Sequence, residues 1–345
     1  MSLTKGFATE SAEEHGVNLL LTIDSLVRLL LRDIRRLDMN RSIFRFLAVA
    51  LAFLATVSAM AVASVQGSFE RTYQVSGAVN LQVLTRSGDV TVRSGPAGSV
   101  TVRGKIHVGD RWFSGNRQAE VSEIEKNPPI QQTGNSLHID YVNAHDISVD
   151  YEITAPADTT VETRSGSGDQ RMVGLRSNLK LESGSGDMRI EDISGEIQLH
   201  TGSGEVEARE ISGPFTAEAG SGDIRADEKG KGDVRVHTGS GNIELRGVDG
   251  MLDAHSGSGD VTVQGANSGR WEIRTSSGNV ELDLPSGTGF DLDASAGSGS
   301  VTVDRPVTMV VQGDLRRAEH EIRGKVSGGG PELLVHTGSG DVRIH

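Results

Sequence analysis

Residues 233–245 read Asp-Val-Arg-Val-His-Thr-Gly-Ser-Gly-Asn-Ile-Glu-Leu. Val234 and Val236 alternate with Arg235 and His237, and Ile243 and Leu245 alternate with Glu244. Period two marks a strand with one buried face, so this stretch is two short strands joined at Thr-Gly-Ser-Gly. Glycine suits that turn, and positive φ is the property expected of it there.

The phrase recurs. Its second glycine stands at Gly168, Gly186, Gly204, Gly222, Gly241, Gly259, Gly278 and Gly299, in steps of 18, 18, 18, 19, 18, 19 and 21 residues. Outlying copies put Gly88 and Gly340 in the same context. A fixed period near 20 residues is the signature of a solenoid. The apolar positions recur with it. One column reads Val161, Leu179, Ile197, Phe215, Val234, Leu252, Trp271, Leu292 and Leu333, in chain order. After the turn another reads Met188, Val206, Ile224, Ile243, Val261, Val280, Val301 and Val342. Four buried aliphatics give one coil roughly 1.5–3 kcal/mol each, against about 1–2 kcal/mol per ordered residue. Coils must therefore stack to be stable. The expected fold is all-β, a single-stranded parallel β-helix (β-solenoid) of about 18–19 residues per coil.

Polar columns support the register. One reads Arg164, Glu182, His200, Glu218, His237, His255 and Arg274, and another Arg171, Arg189, Glu207, Arg225 and Glu244. Opposite charges on neighbouring strands add tenths of a kcal/mol each and disfavour slippage.

Residues 67–160 read as N-terminal coils with a short helical insertion at Gln118–Lys126, and residues 161–345 as the regular repeats. Asp341-Val342-Arg343-Ile344-His345 stops in strand pattern without an evident cap. That end is expected to be open to edge pairing, by a partner or a second copy. Ahead of the repeats, Phe46 to Val65 is an uncharged apolar run preceded by Arg41 and Arg45. From Met39, residues 39–63 read as a signal peptide cut before Ser64 at Ala61-Val62-Ala63, or as a signal anchor helix. Residues 1–38 read as an N-terminal extension or a cytoplasmic amphipathic helix.

Formal net charge is −13 and cysteine is absent. An acidic chain is a poor nucleic-acid binder, and without cysteine there is no thiolate metal or redox site. No GxSxG, P-loop or complete HExxH is present, and His320-Glu321 lacks the second histidine. The acidic column Asp169, Asp187, Glu205, Asp223, Asn242, Asp260, Asn279 and Asp341 has the ligand chemistry for Ca²⁺. It equally suits the residue after a glycine turn, and that reading is preferred. His237 and His255 are expected on adjacent coils, facing solvent, as part of the charge ladder. Trp271 falls in a buried column, while Trp112 and Phe113 have the chemistry to stack on sugars. No catalytic, cofactor-binding or metal residue is assigned, and no cofactor.

The Thr/Ser-Gly-Ser-Gly-Asp repeats, Asn127-Pro128-Pro129-Ile130, and Gly328-Gly329-Gly330-Pro331-Glu332-Leu333 before a last repeat resemble one family. It is the bacterial putative-adhesin domain of unknown function with β-strand repeats, related to autotransporter-adhesin head domains. The resemblance covers about residues 69–345. It implies an exported β-helix at the periplasm or cell surface, and it brings no catalytic residues. The expected function is a non-enzymatic, structural or adhesin-like binding surface. Its expected partners are envelope polysaccharide or a surface protein, with membrane contact only through residues 46–65 if uncleaved. Self-association through the solenoid ends is a further expectation. The alternatives are a carbohydrate-active β-helix enzyme and a membrane-anchored envelope sensor or regulator.

Overall fold

A computed structural model describes residues 65–109, 117–144, 146–308 and 320–345. Contacts divide the chain into two units, and the second, Ala63–His345, holds all the described residues. Residues 1–38, the 39–63 segment and Trp112–Phe113 lie outside them. Among the described residues no helix is long and apolar enough to cross a membrane.

Alternation drives the architecture. Each coil gives one strand to a 14-stranded sheet, turns at the glycine phrase, and gives the next strand to a 13-stranded sheet. We call these sheet B and sheet A. In one coil the strands are Val234–Ser240 and Ile243–Asp249. Val234, Val236, Ile243 and Leu245 are at most 1 % exposed, so the inner face of each strand is fully withdrawn from water. Neighbouring coils pair in parallel, with Val234 beside Phe215 and Leu252, and Ile243 beside Ile224 and Val261. The two inner faces form one continuous aliphatic core. Trp271 lies wholly inside it, where its indole Nε1–H donates to Gly250 O at 3.1 Å.

From the coil at Thr160 to the coil at Trp271 the stack follows chain order. At both ends it does not. The final strands, Glu332–Ser339 and Val342–Ile344, lie between the coil of Trp271–Ser277 and the coil of Phe290–Ser298. The buried column therefore runs Trp271, Leu333, Leu292, which corrects the chain-order reading. Residues 341–345 are likewise not an uncovered end. Val342 and Ile344 pair with Val280 and Leu282 on one side and with Val301 and Val303 on the other. Arg305 donates to the carbonyl oxygens of Leu284, Pro285 and His345. Between Val303 and Glu332 the repeat pattern is interrupted, and Glu321–Val326 runs antiparallel to Phe290–Ser298 beyond the last coil of sheet B.

The N-terminal end mirrors this inversion. Asn80–Thr85 and Val90–Gly95 stack directly on the coil at Thr160, while Ser136–Ile139 and Ile147–Pro156 lie outside them. Antiparallel strands Ser99–Val108 and Val65–Gln74 then extend sheet A. Helix α1, Arg117–Lys126, covers the free edge of Val65–Gln74 with buried Val121 and Ile124. Glu125 accepts the amide of Ser68 at 2.9 Å, and Arg71 donates to the carbonyls of Glu125 and Lys126. Covering an edge strand in this way, with the Ser68 amide taken, leaves less of it free to template aggregation.

Candidate binding face

The repeated corner is built for stacking. A Cβ placed on Gly241 would meet Gly222 O at 2.1 Å, and one on Gly186 would meet Gly168 O at 2.0 Å. The same collision repeats up the column, including Gly340 on Gly278 O and Gly299 on Gly340 O. Positive φ is confined in this column to Gly88, Gly278, Gly299 and Gly340. The expectation that glycine serves the turn's dihedrals is therefore corrected. In most coils it is the close approach of stacked backbones that excludes a side chain. The buried hydroxyl that opens the corner also works within the stack. Ser165 and Ser183 accept the amides of Gly168 and Gly186, each at 2.8 Å. Thr238, Ser256 and Thr275 instead donate to the glycine carbonyl of the preceding coil.

The acidic column forms a ladder of the same kind. One carboxylate oxygen of Asp169 accepts the amide of Asp187 at 2.9 Å, and Asp187 accepts that of Glu205 at 3.0 Å. Beyond it, Asp223 accepts Asn242, Asn242 accepts Asp260, and Asp260 accepts Asn279. Hydrogen bonds from the Ser300 amide and hydroxyl pull the Asp341 carboxyl below its ordinary value. The second oxygens of Asp187, Asp223 and Asp341 meet Arg189, Arg225 and Arg343 two residues on. Among the described residues no three acidic, histidine or cysteine side chains are grouped to hold a metal ion. Glu205 interrupts the ladder: its longer side chain forms no bond to the Asp223 amide, and its nearest cation is Arg225 at 3.7 Å.

What the coils offer to solvent is the outer face of each sheet. On sheet A, Arg189 reaches Glu207, and Arg225 reaches Glu244, each at 3.7 Å. Near the N-terminal end of that face lies an open depression of about 380 Å³ lined by Glu70, Arg93, Arg103 and Glu152. Two ion pairs border it, Arg103 to Glu70 at 2.9 Å and Lys105 to Glu152 at 2.6 Å. The Lys105 ammonium holds the Glu152 carboxyl below its usual range. On sheet B, Arg164 bridges Glu162 and Glu182. His237 and His255 stand in register on adjacent coils, their rings edge to face with centroids 5.7 Å apart.

Two buried polar side chains have no counterpart in the sequence reading. Both carboxylate oxygens of Glu228 are buried without a hydrogen-bond partner, and so are both polar atoms of Asn267. Burial pushes the Glu228 carboxyl up to about 8. The cause is local. At the connector, other coils carry a left-handed residue before the inward aliphatic, as in Asp192-Ile193, Glu210-Ile211 and Gly247-Val248. The coil at Ile224 lacks that residue, so Glu228 itself pairs in register with Ile211 and points inward. The shortened spacing from Ile224 was the available signal.

These features define a two-sheet parallel solenoid with polar outer faces. The chain belongs to the Toastrack DUF4097 family, whose profile matches residues 76–237 and again 214–345. No curated protein matches it. Among solved structures, a putative adhesin from Bacteroides fragilis shares 13 % identity at a TM-score of 0.39, over 81 % of this chain and 98 % of that one. A putative cell adhesion protein from Clostridium sporogenes shares 15 % identity at a TM-score of 0.24, over 80 % of this chain and 98 % of that one. At such scores neither likeness speaks to what this protein does.

Proposed function

We propose that the protein is an exported, non-enzymatic Toastrack solenoid of the bacterial envelope that binds through the outer faces of its sheets. The observation that carries this reading is the arrangement of its polar side chains. They lie in straight columns, one residue per coil and in register, over sheet B from Arg164 to Arg274. Such a surface presents a repeating pattern of charge to a repeating ligand, which is the geometry of adhesion to a polysaccharide or a surface protein. The acids of the corner are engaged in the ladder and in ion pairs, which favours a structural over a catalytic role for them. The apolar run at residues 46–65 supports export by a signal peptide or retention by a signal anchor.

The test combines two measurements on protein isolated from its native cell. Mass spectrometry of the mature chain is expected to find Ser64 at the N-terminus, and a chain still starting at Met1 or Met39 supports the anchored form instead. A binding screen on envelope polysaccharides is expected to show retention without cleavage of the glycan. Release of shortened fragments by the pure protein overturns the non-enzymatic reading.

A further inference from the structure

Sheet B carries four of the chain's ten histidines in a single column. In stacking order it reads His200, Glu218, His237, His255, Arg274 and His336. The order matters, because His336 belongs to the C-terminal coil that inserts beside Arg274. From His237 onward, four adjacent rungs hold a histidine or an arginine and no acid. Rungs of a parallel sheet are about 4.8 Å apart. Of these four, Arg274 carries its charge throughout the ordinary pH range. Histidine is the side chain that ordinarily gains its charge between about pH 5 and 8. With the histidines protonated the four rungs would form a line of cations, and like charges directly opposite one another repel.

The flanking groups offset this line only in part. His200 lies 3.3 Å from Glu218, so that pair is locally satisfied. His237 faces Glu218 and His255 along the column and has Asp253 at 3.7 Å. His255 faces His237 and Arg274, with Arg235 and Glu272 in the neighbouring column. Glu272 is already engaged by Arg270 and Arg274. His336 faces Arg274 and Ser295, whose hydroxyl it meets at 2.9 Å, while nearby Asp293 is held by Arg323. The carboxylates bordering the line are thus Glu218 beside His237, Asp253 at 3.7 Å from His237 and Glu272 paired to Arg274, while His255 and His336 form no ion pair among the described residues.

We infer that this column is an acid-gated binding site for a linear polyanion, namely a chain of carboxylated sugars lying along the solenoid axis. This deepens the proposed adhesive function and rests on it. Charge complementarity selects the ligand: a repeating anion relieves the repulsion between stacked cations, one anionic group to each rung or two. Over most of its surface this acidic chain repels such a ligand. Gating follows by linkage, since a ligand that binds the protonated histidines must also raise their affinity for protons.

The test uses the Ala63–His345 unit and short oligogalacturonate chains. Binding is measured by calorimetry at about pH 5 and about pH 8 in low salt. The expected result is affinity at least about tenfold tighter at the lower pH and lost in high salt. In the triple variant H237Q/H255Q/H336Q the acid gain is expected to vanish, while its melting at about pH 8 stays unchanged because all three side chains reach solvent. NMR titration of the histidine rings provides a second readout: oligogalacturonate is expected to raise the midpoints of His237, His255 and His336. Affinity equal at both pH values, acid gain retained in the triple variant, or unmoved midpoints would each overturn the inference. Binding of another glycan elsewhere on the surface would leave the adhesive function standing while this inference fails.

Discussion

The two ends of a single coil's sheet A strand are held to different tolerances. At its start, the second corner position is glycine in all ten copies from Gly88 to Gly340. At its close, the connector accepts Ile193, Ile211, Glu228 and Val248 at equivalent inward places, one of them a buried acid without a partner. The corner is strict because a Cβ would lie about 2 Å from a backbone carbonyl oxygen of the next coil, which has no rotamer with which to yield. The inward place of the connector is lenient because side chains meet there, although a Cβ on the connector's own Gly232 or Gly250 would lie as close to stacked backbone, 2.1 Å from Gly213 O and Gly232 O, as at the corner glycines. The solenoid thus holds its pitch where glycines stack on backbone and takes up irregularity in the inward side chains of the connector.

The largest effect is expected where that strictness is broken. Gly241→Ala forces a methyl to 2.1 Å from Gly222 O and is expected to cost about 3 kcal/mol or more, read as a drop in the denaturation midpoint. A small change there would show that the coils can spread and that the corner does not set the pitch.

Next comes the connector. Glu228→Val replaces the orphaned acid by the aliphatic type found at Ile211 and Val248, with an expected gain of roughly 2 kcal/mol near neutral pH. The folded-state carboxyl lies at about 8, above its ordinary 4.5. Its contribution to stability is therefore fully present below about pH 4.5 and is lost as pH rises through about 8. The wild-type protein is expected to lose stability over that window more steeply than Glu228→Gln. Parallel pH profiles of the two would remove Glu228 from the account.

A smaller effect separates the two glycine columns. At the first corner glycine the collision is looser, 2.5 Å for Gly239 on Gly220 O, and Ser276 already stands in that column between Gly257 and Gly338. Gly239→Ala is expected to cost only about 1 kcal/mol. Smallest is the repair of the carboxylate ladder: Glu205→Asp supplies the missing acceptor for the Asp223 amide and is expected to add about 0.5–1 kcal/mol. Destabilisation by that change would mean that the ladder is incidental.

Much of this was legible in the residues. The alternation of Val234, Val236, Ile243 and Leu245 gave the strands, and the spacing of Gly168 to Gly278 gave the coil. The facing charges Arg164 and Glu182 stand as the columns placed them. What stayed hidden has a common physical cause. Close approach between backbones, as at Gly241, depends on the distance between coils, which no single repeat encodes. The inward turn of Glu228 depends on the absence of one left-handed residue in its neighbours' register. The insertion of Leu333 between Trp271 and Leu292 depends on which strand edge is free when the chain returns, and a local pattern carries no record of that. The histidine column is complete only once His336 takes its place beside Arg274.

The central claim is that corner-to-corner stacking, rather than chain order, arranges the coils. The chain has no cysteine, so paired cysteines report on it cleanly. Glu272 and Leu334 stand side by side on neighbouring strands, whereas Glu272 and Asp293 are separated by the C-terminal coil. A disulfide needs Cα atoms within about 7 Å, which one rung satisfies and two rungs of about 4.8 Å exceed. Glu272→Cys with Leu334→Cys is expected to oxidise readily in the folded protein, and Glu272→Cys with Asp293→Cys to remain reduced. A disulfide in the second pair and none in the first would contradict the account.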